Sequence, residues 1–226
     1  MKLPFSVRDF LEVFKRYNEA YYPLQLLFVI AALFIFYLLY NKREKSKKYI
    51  FFILAAFWIW MGVAYHLAMF ASINTAAYAF AVLFISQGLL LLYFSFTRRS
   101  EFKITKDVYG IAGASLIGYA LVLYPIIGYF IGHKYPYSPT FGLPCPTTIF
   151  TFGILLFSKK RLPIYVVIIP IIWSIIGSTA AVILKMYEDT GLIISGVGFT
   201  ILNFMKNTNL RSISKNENLQ CTDRRA

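Results

Sequence analysis

The chain has 226 residues, of which 58% are hydrophobic and 15% charged, with a mean hydropathy of +0.62. This composition excludes an ordinary soluble domain and is typical of proteins that fold in a lipid bilayer. The net charge of +13 does not indicate a nucleic-acid partner, because the Lys and Arg residues fall in short loops instead of forming one basic track. Two cysteines, Cys145 and Cys221, provide neither a disulfide framework nor a CxxC zinc spacing.

The first predicted element is an amphipathic helix from Ser6 to about Asn18, within an N-terminal unit of residues 1–20. Its apolar residues recur at helical spacing opposite charged ones, and Ser6 with Asp9 resembles a capping pair. The charges leave no uninterrupted apolar core, so the segment is not a signal peptide. Two roles remain open: the helix lies in the membrane interface, or it covers one end of a helical bundle.

Seven apolar stretches follow, each close to the roughly 20 residues that a membrane-spanning helix needs. They predict an all-α integral membrane protein with a single transmembrane domain over residues 21–206. The predicted spans are 21–40, 49–70, 75–97, 108–131, 141–157, 163–184 and 190–206. The polar residues 207–226 lack periodicity and predict a disordered cytoplasmic tail.

The distribution of basic residues predicts the orientation of these spans. Segments 41–48, 97–107 and 158–162, together with the chain from Lys206 onward, contain 17 Lys and Arg residues, whereas the opposite side contains 6. Because basic loops stay in the cytoplasm, we expect the N-terminus outside and the C-terminus in the cytoplasm.

Small and polar residues inside the spans predict helix contacts. Gly110, Ala114 and Gly118 recur every four residues, a spacing that lets two helices approach closely. Gln87 lies near the middle of the third span, where an unpaired amide is costly. We therefore expect Gln87 either to bond to a neighbouring helix or to face a cavity.

The stretch "TFGLPCPTTIFTFG", residues 140–153, places a proline on each side of Cys145 within the fifth span. A helix from Thr147 to Phe157, which ends just before the basic residues, would cover about 16 Å at 1.5 Å per residue, roughly half of a bilayer core. The prolines favour an extended chain up to Pro146 followed by a half-helix. We therefore predict that the fifth helix is broken at Pro-Cys-Pro near mid-membrane.

Irregular backbone at membrane depth is tolerated only inside the protein or beside a water-filled cavity. The predicted site for a small solute or anion comprises residues near that break and two polar residues from other spans: Cys145, Thr147, Thr148, His66 and Gln87. Two alternatives assign the break no ligand: a proline-kinked span whose threonines bond to their own helix, or a break in an external loop.

Three segments together resemble a known family: "WIWMGVAYHLAMFASIN" (58–74), "YALVLYPIIGYFIGHKYP" (119–136) and "PTFGLPCPTTIFTFG" (139–153). The family is one of multi-pass bacterial membrane proteins, domain of unknown function 6064. The resemblance runs from about Tyr17 to about Asn203 and implies a bacterial inner-membrane protein. It implies no activity.

Three functions are compatible with these features. The first is transport or permeation of a small solute or ion, and the second is a membrane scaffold or accessory subunit with the bilayer as its environment. The third is a thiol- or metal-dependent enzyme using Cys145, His66 and Met69, soft ligands of the kind that Cu(I) accepts. Enzyme activity has the least support, because no carboxylate pair is predicted at depth. We expect no cofactor, and the sequence does not indicate an oligomeric state.

Overall fold

The computed structural model describes residues 4–41, 44–97 and 101–223, with side chains described outside 44–47 and 207–223. Regular structure in these ranges is helical, apart from two isolated backbone bridges. The α-helices are α1 (Val7–Tyr21), α2 (Leu24–Tyr40), α3 (Glu44–Trp60), α4 (Ala77–Thr97), α5 (Val108–Gly118), α6 (Tyr124–Phe130), α7 (Pro144–Leu156), α8 (Ile164–Leu184) and α9 (Thr190–Asp223). Two π-helical segments, Met61–Leu67 and Tyr119–Leu123, and two 3-10 turns, Phe70–Ser72 and Tyr187–Asp189, complete the helical structure of these ranges.

Four helical segments are long and apolar enough to cross a membrane: Lys48–Ser72, Ala77–Thr97, Val108–Phe130 and Ile164–Leu184. The pair α1 and α2 adds a fifth only if these two helices, bent by 83°, form one broken span. The prediction of several apolar helices is therefore confirmed, whereas the number of seven spans is not. The difference arises at α2 and α7, which have 17 and 13 residues, and at α9, which is not among the four segments.

Helix α7 lies at the centre of the molecule. Of its 13 residues, all except Cys145 are buried, and it packs against α5, α8 and α9. A helix that is apolar on every side lies either in a protein core or in lipid, and here other helices of the chain enclose it. The residues after the Pro-Cys-Pro break are thus the core around which the other helices are arranged.

The close contact between α5 and α7 uses glycines other than the predicted series. A Cβ atom at Gly113 would lie 2.9 Å from the carbonyl oxygen of Gly153, and one at Gly153 would lie 2.9 Å from that of Gly113. By contrast, nothing lies within 4 Å of a Cβ built at Gly118. The partner helix decides which face of α5 is buried, and a four-residue spacing alone does not identify that face.

Helix α1 packs across one end of the bundle. Its capping box is formed, with the Ser6 hydroxyl accepting from the backbone of Asp9 and the Asp9 carboxylate accepting from the backbone of Ser6. The apolar face is buried against the rest of the chain, including Val13 and Tyr17, and Trp60 Nε1 donates to Tyr17 Oη at 2.8 Å. These contacts favour the covering role over a helix that lies only against lipid.

The opposite end of α7 meets α9. The ammonium group of Lys206 donates to the carbonyl oxygen of Leu156 at 2.8 Å and to that of Ser158, so it satisfies acceptors that the helix terminus leaves free. Helix α9 continues to Asp223, into the segment that the composition indicated to be disordered. Residues 207–223 contain no proline or glycine to interrupt the helix.

Candidate functional site

The chain that leads into α7 is fixed by Asn18 of α1. The side-chain amide nitrogen of Asn18 donates to the carbonyl oxygens of Pro136 and Ser138, at 2.7 Å and 2.8 Å. Its amide oxygen accepts from the Thr140 hydroxyl at 2.7 Å. Asn18 is fully buried, and these bonds give the irregular segment defined positions ahead of the helix.

Helix α7 begins at Pro144, three residues before the predicted start at Thr147. Leu143 is extended, with φ −87° and ψ 159°, which agrees with the restriction that a following proline imposes. Both prolines then occupy the first turn, where the fixed φ of proline is helical and its missing N–H has no intrahelical partner to lose. Cys145 therefore lies in the first turn and not in an extended strand.

The N-terminus of α7 offers few donors to a ligand. Of its first three residues only Cys145 has a backbone N–H, because Pro144 and Pro146 have none. The next amide, that of Thr147, donates to the Leu143 carbonyl at 3.3 Å. An anion at this helix end would consequently find far fewer amide groups than a helix N-terminus usually provides.

A cavity of about 490 Å³ lies beside the start of α7. Leu143, Pro144, Cys145 and Pro146 form part of its wall, and residues of α1, α8 and the connection between α8 and α9 form much of the rest. The lining is mostly aliphatic and aromatic. It includes exposed residues such as Thr179, so the cavity reaches the surface of the molecule.

One carboxylate lies in this apolar wall. Asp189, in the connection between α8 and α9, is 5% exposed, and its Oδ1 accepts a hydrogen bond of 2.5 Å from Tyr124 Oη. Burial raises the pKa of Asp189 to about 7, although hydrogen bonds from Tyr124 and from the Cys145 thiol oppose that rise. Asp189, Tyr124 and Cys145 thus form a polar group at the cavity wall.

A second buried acid holds the connection in place. Glu188 Oε1 lies 2.7 Å from His133 Nδ1, and the Glu188 backbone carbonyl accepts from Tyr119 Oη at 2.6 Å. The other carboxylate oxygen, Glu188 Oε2, is buried and has no hydrogen-bond partner among the described residues. These bonds join the connection to residues 108–133, which comprise α5, the π-helical segment Tyr119–Leu123, α6 and the start of the following loop and are called the α5–α6 unit below. They thereby position the adjacent Asp189.

The π-helical segment between α5 and α6 aligns the two tyrosines. In a π-helix the backbone bond joins residues five apart, and here the Tyr124 amide donates to the Tyr119 carbonyl. The two rings lie 6.3 Å apart. Pro125 follows directly, and a wider turn before a proline relieves the clash of its ring with the preceding carbonyls.

The structure brings one of the five predicted site residues, Cys145, to the cavity wall. Thr147 is buried, and its hydroxyl accepts from the Gly142 amide at 3.1 Å. Thr148 is buried as well, and its hydroxyl has no partner among the described residues. Neither threonine lines the cavity.

His66 lies behind the cavity wall. It is 0% exposed, and neither ring nitrogen has a hydrogen-bond partner in the described part of the chain. Aromatic rings surround it, with Phe84 at 4.6 Å and Trp173 at 5.3 Å between centroids. Trp173 also lines the cavity, so its ring belongs both to the surroundings of His66 and to the cavity wall.

Gln87 satisfies a carbonyl that a proline leaves free. Pro170 lies inside α8 and has no N–H to donate to the carbonyl of Val166, four residues earlier. Gln87 Nε2 on α4 donates to that Val166 oxygen at 2.7 Å. Gln87 therefore joins α4 to α8, which is the first of the two roles expected for it.

Sequence reasoning missed the acids of this site. Glu188 and Asp189 lie in a short connector, and a loop position suggests exposure. The sequence pattern that could have indicated their burial is an acidic pair directly before an apolar helix in a connector of only five residues. So short a connector must stay close to the helix ends.

No three His, Cys, Asp or Glu side chains come together as a metal-binding group within the described ranges. Neither ring nitrogen of His66 has a hydrogen-bond partner among the described residues, Cys145 included, so the proposed pairing of these two residues in a metal or thiol centre gains no support from the geometry.

Comparison with curated proteins and with solved structures finds no match to this chain. Comparison with protein families matches residues 7–215 to a family of unknown function, DUF6064. The match includes every residue of the polar group and of the Pro-Cys-Pro segment. Because it covers most of the sequence, the chain belongs to the DUF6064 family.

Proposed function

We propose that this protein is a multi-pass protein of a bacterial inner membrane, with seven crossings, an external N-terminus and a cytoplasmic C-terminus. The apolar helices support a membrane location, and the distribution of Lys and Arg supports the orientation. In this arrangement α7 is a short helix enclosed by others, whose first turn lies at membrane depth.

The orientation is tested by attaching a membrane-impermeant thiol reagent to cysteines introduced in the basic segment 41–48 and in the opposite segment 71–74. The starting protein carries Cys145→Ala and Cys221→Ser. Labelling of 71–74 from outside, and of 41–48 only after the membrane is opened, is the expected result. External labelling of 41–48 would reverse the topology.

We further propose that the cavity binds a small solute with an apolar body and a polar hydrogen-bonding end. The observation that supports this is a buried carboxylate, Asp189, in the wall of an otherwise apolar cavity. The cavity has a volume of about 490 Å³, which is in the range of small-molecule sites. From the predicted site we retain Cys145 and add Asp189, Tyr124 and Trp173.

In this proposal solute binding serves transport or permeation, because a cavity that opens on one face of a membrane protein is the first half of a pathway across it. The scaffold alternative is favoured by the bond between Gln87 and Val166, which gives a membrane-embedded polar residue a structural role. A ligand-binding measurement distinguishes transport or permeation, which requires a bound solute, from a scaffold, which does not.

The test uses a matched pair of cavity variants. Ala180 lines the cavity and is partly buried, whereas Ala114 is exposed on α5 and does not line it. In Ala180→Phe a phenyl group would fill part of the cavity, and Ala114→Phe is the control. We expect benzyl alcohol, a small amphipathic probe, to bind wild type and Ala114→Phe, and to bind Ala180→Phe at least tenfold more weakly. Equal binding by all three proteins would exclude this cavity as the site.

A further inference from the structure

The charge distribution around the cavity restricts the solute beyond what its apolar character implies. Asp189 is the one charged side chain among the described residues of the lining, and no Lys, Arg or His accompanies it there. His133 does not line the cavity and is paired with Glu188, whose carboxylate oxygen Oε1 lies 2.7 Å from its Nδ1. An ionised Asp189 would therefore have no counterion among the described residues of the lining.

Among the described residues, the titratable groups that interact with Asp189 from neighbouring elements are tyrosines, a cysteine and an acid. They are Tyr119 and Tyr124 of the α5–α6 unit, Cys145 of α7, Tyr65 after α3, and Glu188 beside it, which His133 contacts. A buried carboxylate in such surroundings either holds a proton or requires a cation.

A cation site needs a negative charge, which Asp189 can provide, and surroundings that attract a cation, which the aromatic rings of the cavity wall provide. Phe14, Tyr65, Phe70 and Trp173 line the cavity together with Tyr124. The rings of Tyr65 and Phe70 stack at 5.6 Å, and those of Phe14 and Tyr65 at 6.2 Å. Aromatic rings attract organic ammonium groups through their π faces, and they also accommodate an apolar body.

We propose that the cavity binds monovalent organic cations, ammonium groups on an aromatic or aliphatic body, and that a cation entering a cavity in which Asp189 is protonated displaces that proton. This inference rests on the solute-binding function proposed above and names its substrate class. The exchange is balanced: the Asp189 carboxylic acid loses its proton to water, and the resulting carboxylate pairs with the entering ammonium group. No bond to the ligand forms or breaks.

Proton displacement predicts the direction and size of a pH effect. Protonated Asp189 cannot pair with a cation, so affinity falls as pH is lowered. Because burial raises the pKa of Asp189 to about 7, competition between proton and ligand weakens binding about tenfold from pH 8 to pH 6. Above pH 8 the affinity becomes nearly constant.

The experiment uses calorimetry on purified full-length protein with three probes of similar size: benzyltrimethylammonium, benzyl alcohol and phenylacetate. The cation does not titrate, so any pH dependence belongs to the protein. We expect the cation to bind at least tenfold more tightly than either other probe at pH 8, and about tenfold more weakly at pH 6. Titrations in two buffers of different ionisation enthalpy should show proton release at pH 6.

Two variants accompany this measurement. Asp189→Asn should lose the preference for the cation and the pH dependence but still bind benzyl alcohol. Tyr124→Phe removes the donor to Asp189, and it should keep the preference for the cation with an altered pH midpoint. Gel filtration and a thermal melt establish that each variant is folded, and the pH series on wild type needs no variant at all.

The outcomes separate this inference from the function on which it rests. If benzyl alcohol binds wild type as tightly as the cation, or if the cation affinity does not change with pH, cation–proton exchange is wrong while solute binding stands. If none of the three probes binds, both proposals are wrong.

Discussion

The bond between Gln87 and Val166 leads to a quantitative prediction about stability. In Gln87→Leu the Val166 carbonyl would be buried without a donor, since Pro170 cannot supply one. An unsatisfied buried carbonyl costs about 1–3 kcal/mol. We therefore expect Gln87→Leu to lower the free energy of unfolding by about 2 kcal/mol, or the melting temperature by roughly 4–8 °C for a chain of this size.

The cause can be isolated with a second substitution. In Pro170→Ala the residue at 170 regains a backbone N–H that can donate to Val166, so Gln87→Leu should cost less than about 1 kcal/mol in that background. The coupling energy of the double-mutant cycle is then about 1–2 kcal/mol. Thermal unfolding of the protein in one detergent, followed by tryptophan fluorescence, measures all four proteins.

A matched control lies on the same helix. The Ser95 hydroxyl bonds only to its own helix, at the carbonyl of Leu92, so Ser95→Ala should show no coupling to Pro170→Ala. If Gln87→Leu costs the same with Pro170 present or replaced, the carbonyl that Pro170 leaves free does not explain the role of Gln87.

Three further predictions follow from other contacts. His66→Phe should leave the melting temperature unchanged or raise it, because a phenyl ring fits the aromatic surroundings and removes two unpaired nitrogens. A marked loss of stability in this variant would reveal a hydrogen-bond partner of His66. Gly153→Ala should lower the free energy of unfolding by about 1–3 kcal/mol, since its Cβ would lie 2.9 Å from the Gly113 carbonyl oxygen. In the control Gly118→Ala the new Cβ would point into open space, so this variant should be neutral or stabilising. Equal melting temperatures of the two variants would contradict this packing. Asp189 has a raised pKa in the folded state, so its contribution to stability is present below pH 4 and is lost as pH rises through about 7. Wild type should therefore melt at a higher temperature at pH 5 than at pH 8. Asp189→Asn should reduce that difference.

The sequence allowed good prediction of the helices and poor prediction of the site. The expected break at Pro-Cys-Pro corresponds to the start of α7, since the backbone limits of proline are local. Gln87 was expected to bond between helices, and it does. The two buried acids at 188–189 were missed, because their burial depends on Tyr119, Tyr124 and His133, which lie more than 50 residues away in the chain.

The predicted group around Cys145 was similarly limited by distance along the chain. Cys145 and His66 were grouped as polar residues inside the predicted spans. In the structure Cys145 lines the cavity, whereas His66 does not and is enclosed by aromatic rings that include Trp173 of α8. Depth in a membrane gives one coordinate of a residue. Its position within the membrane plane depends on the rotation of its helix and on which helices are neighbours, and both are decided by packing.

By itself the sequence determined that this chain is a helical, lipid-compatible protein in which a helix starts close to the Pro-Cys-Pro segment, because hydropathy, charge and proline geometry act over a few residues. Only the tertiary structure decided that α7 is the enclosed centre, that Gly113 meets Gly153, and that Asp189 lies beside Tyr124 and Cys145 at a cavity wall. Those arrangements depend on which helix faces meet, since burial and hydrogen bonding join residues that are distant in the chain.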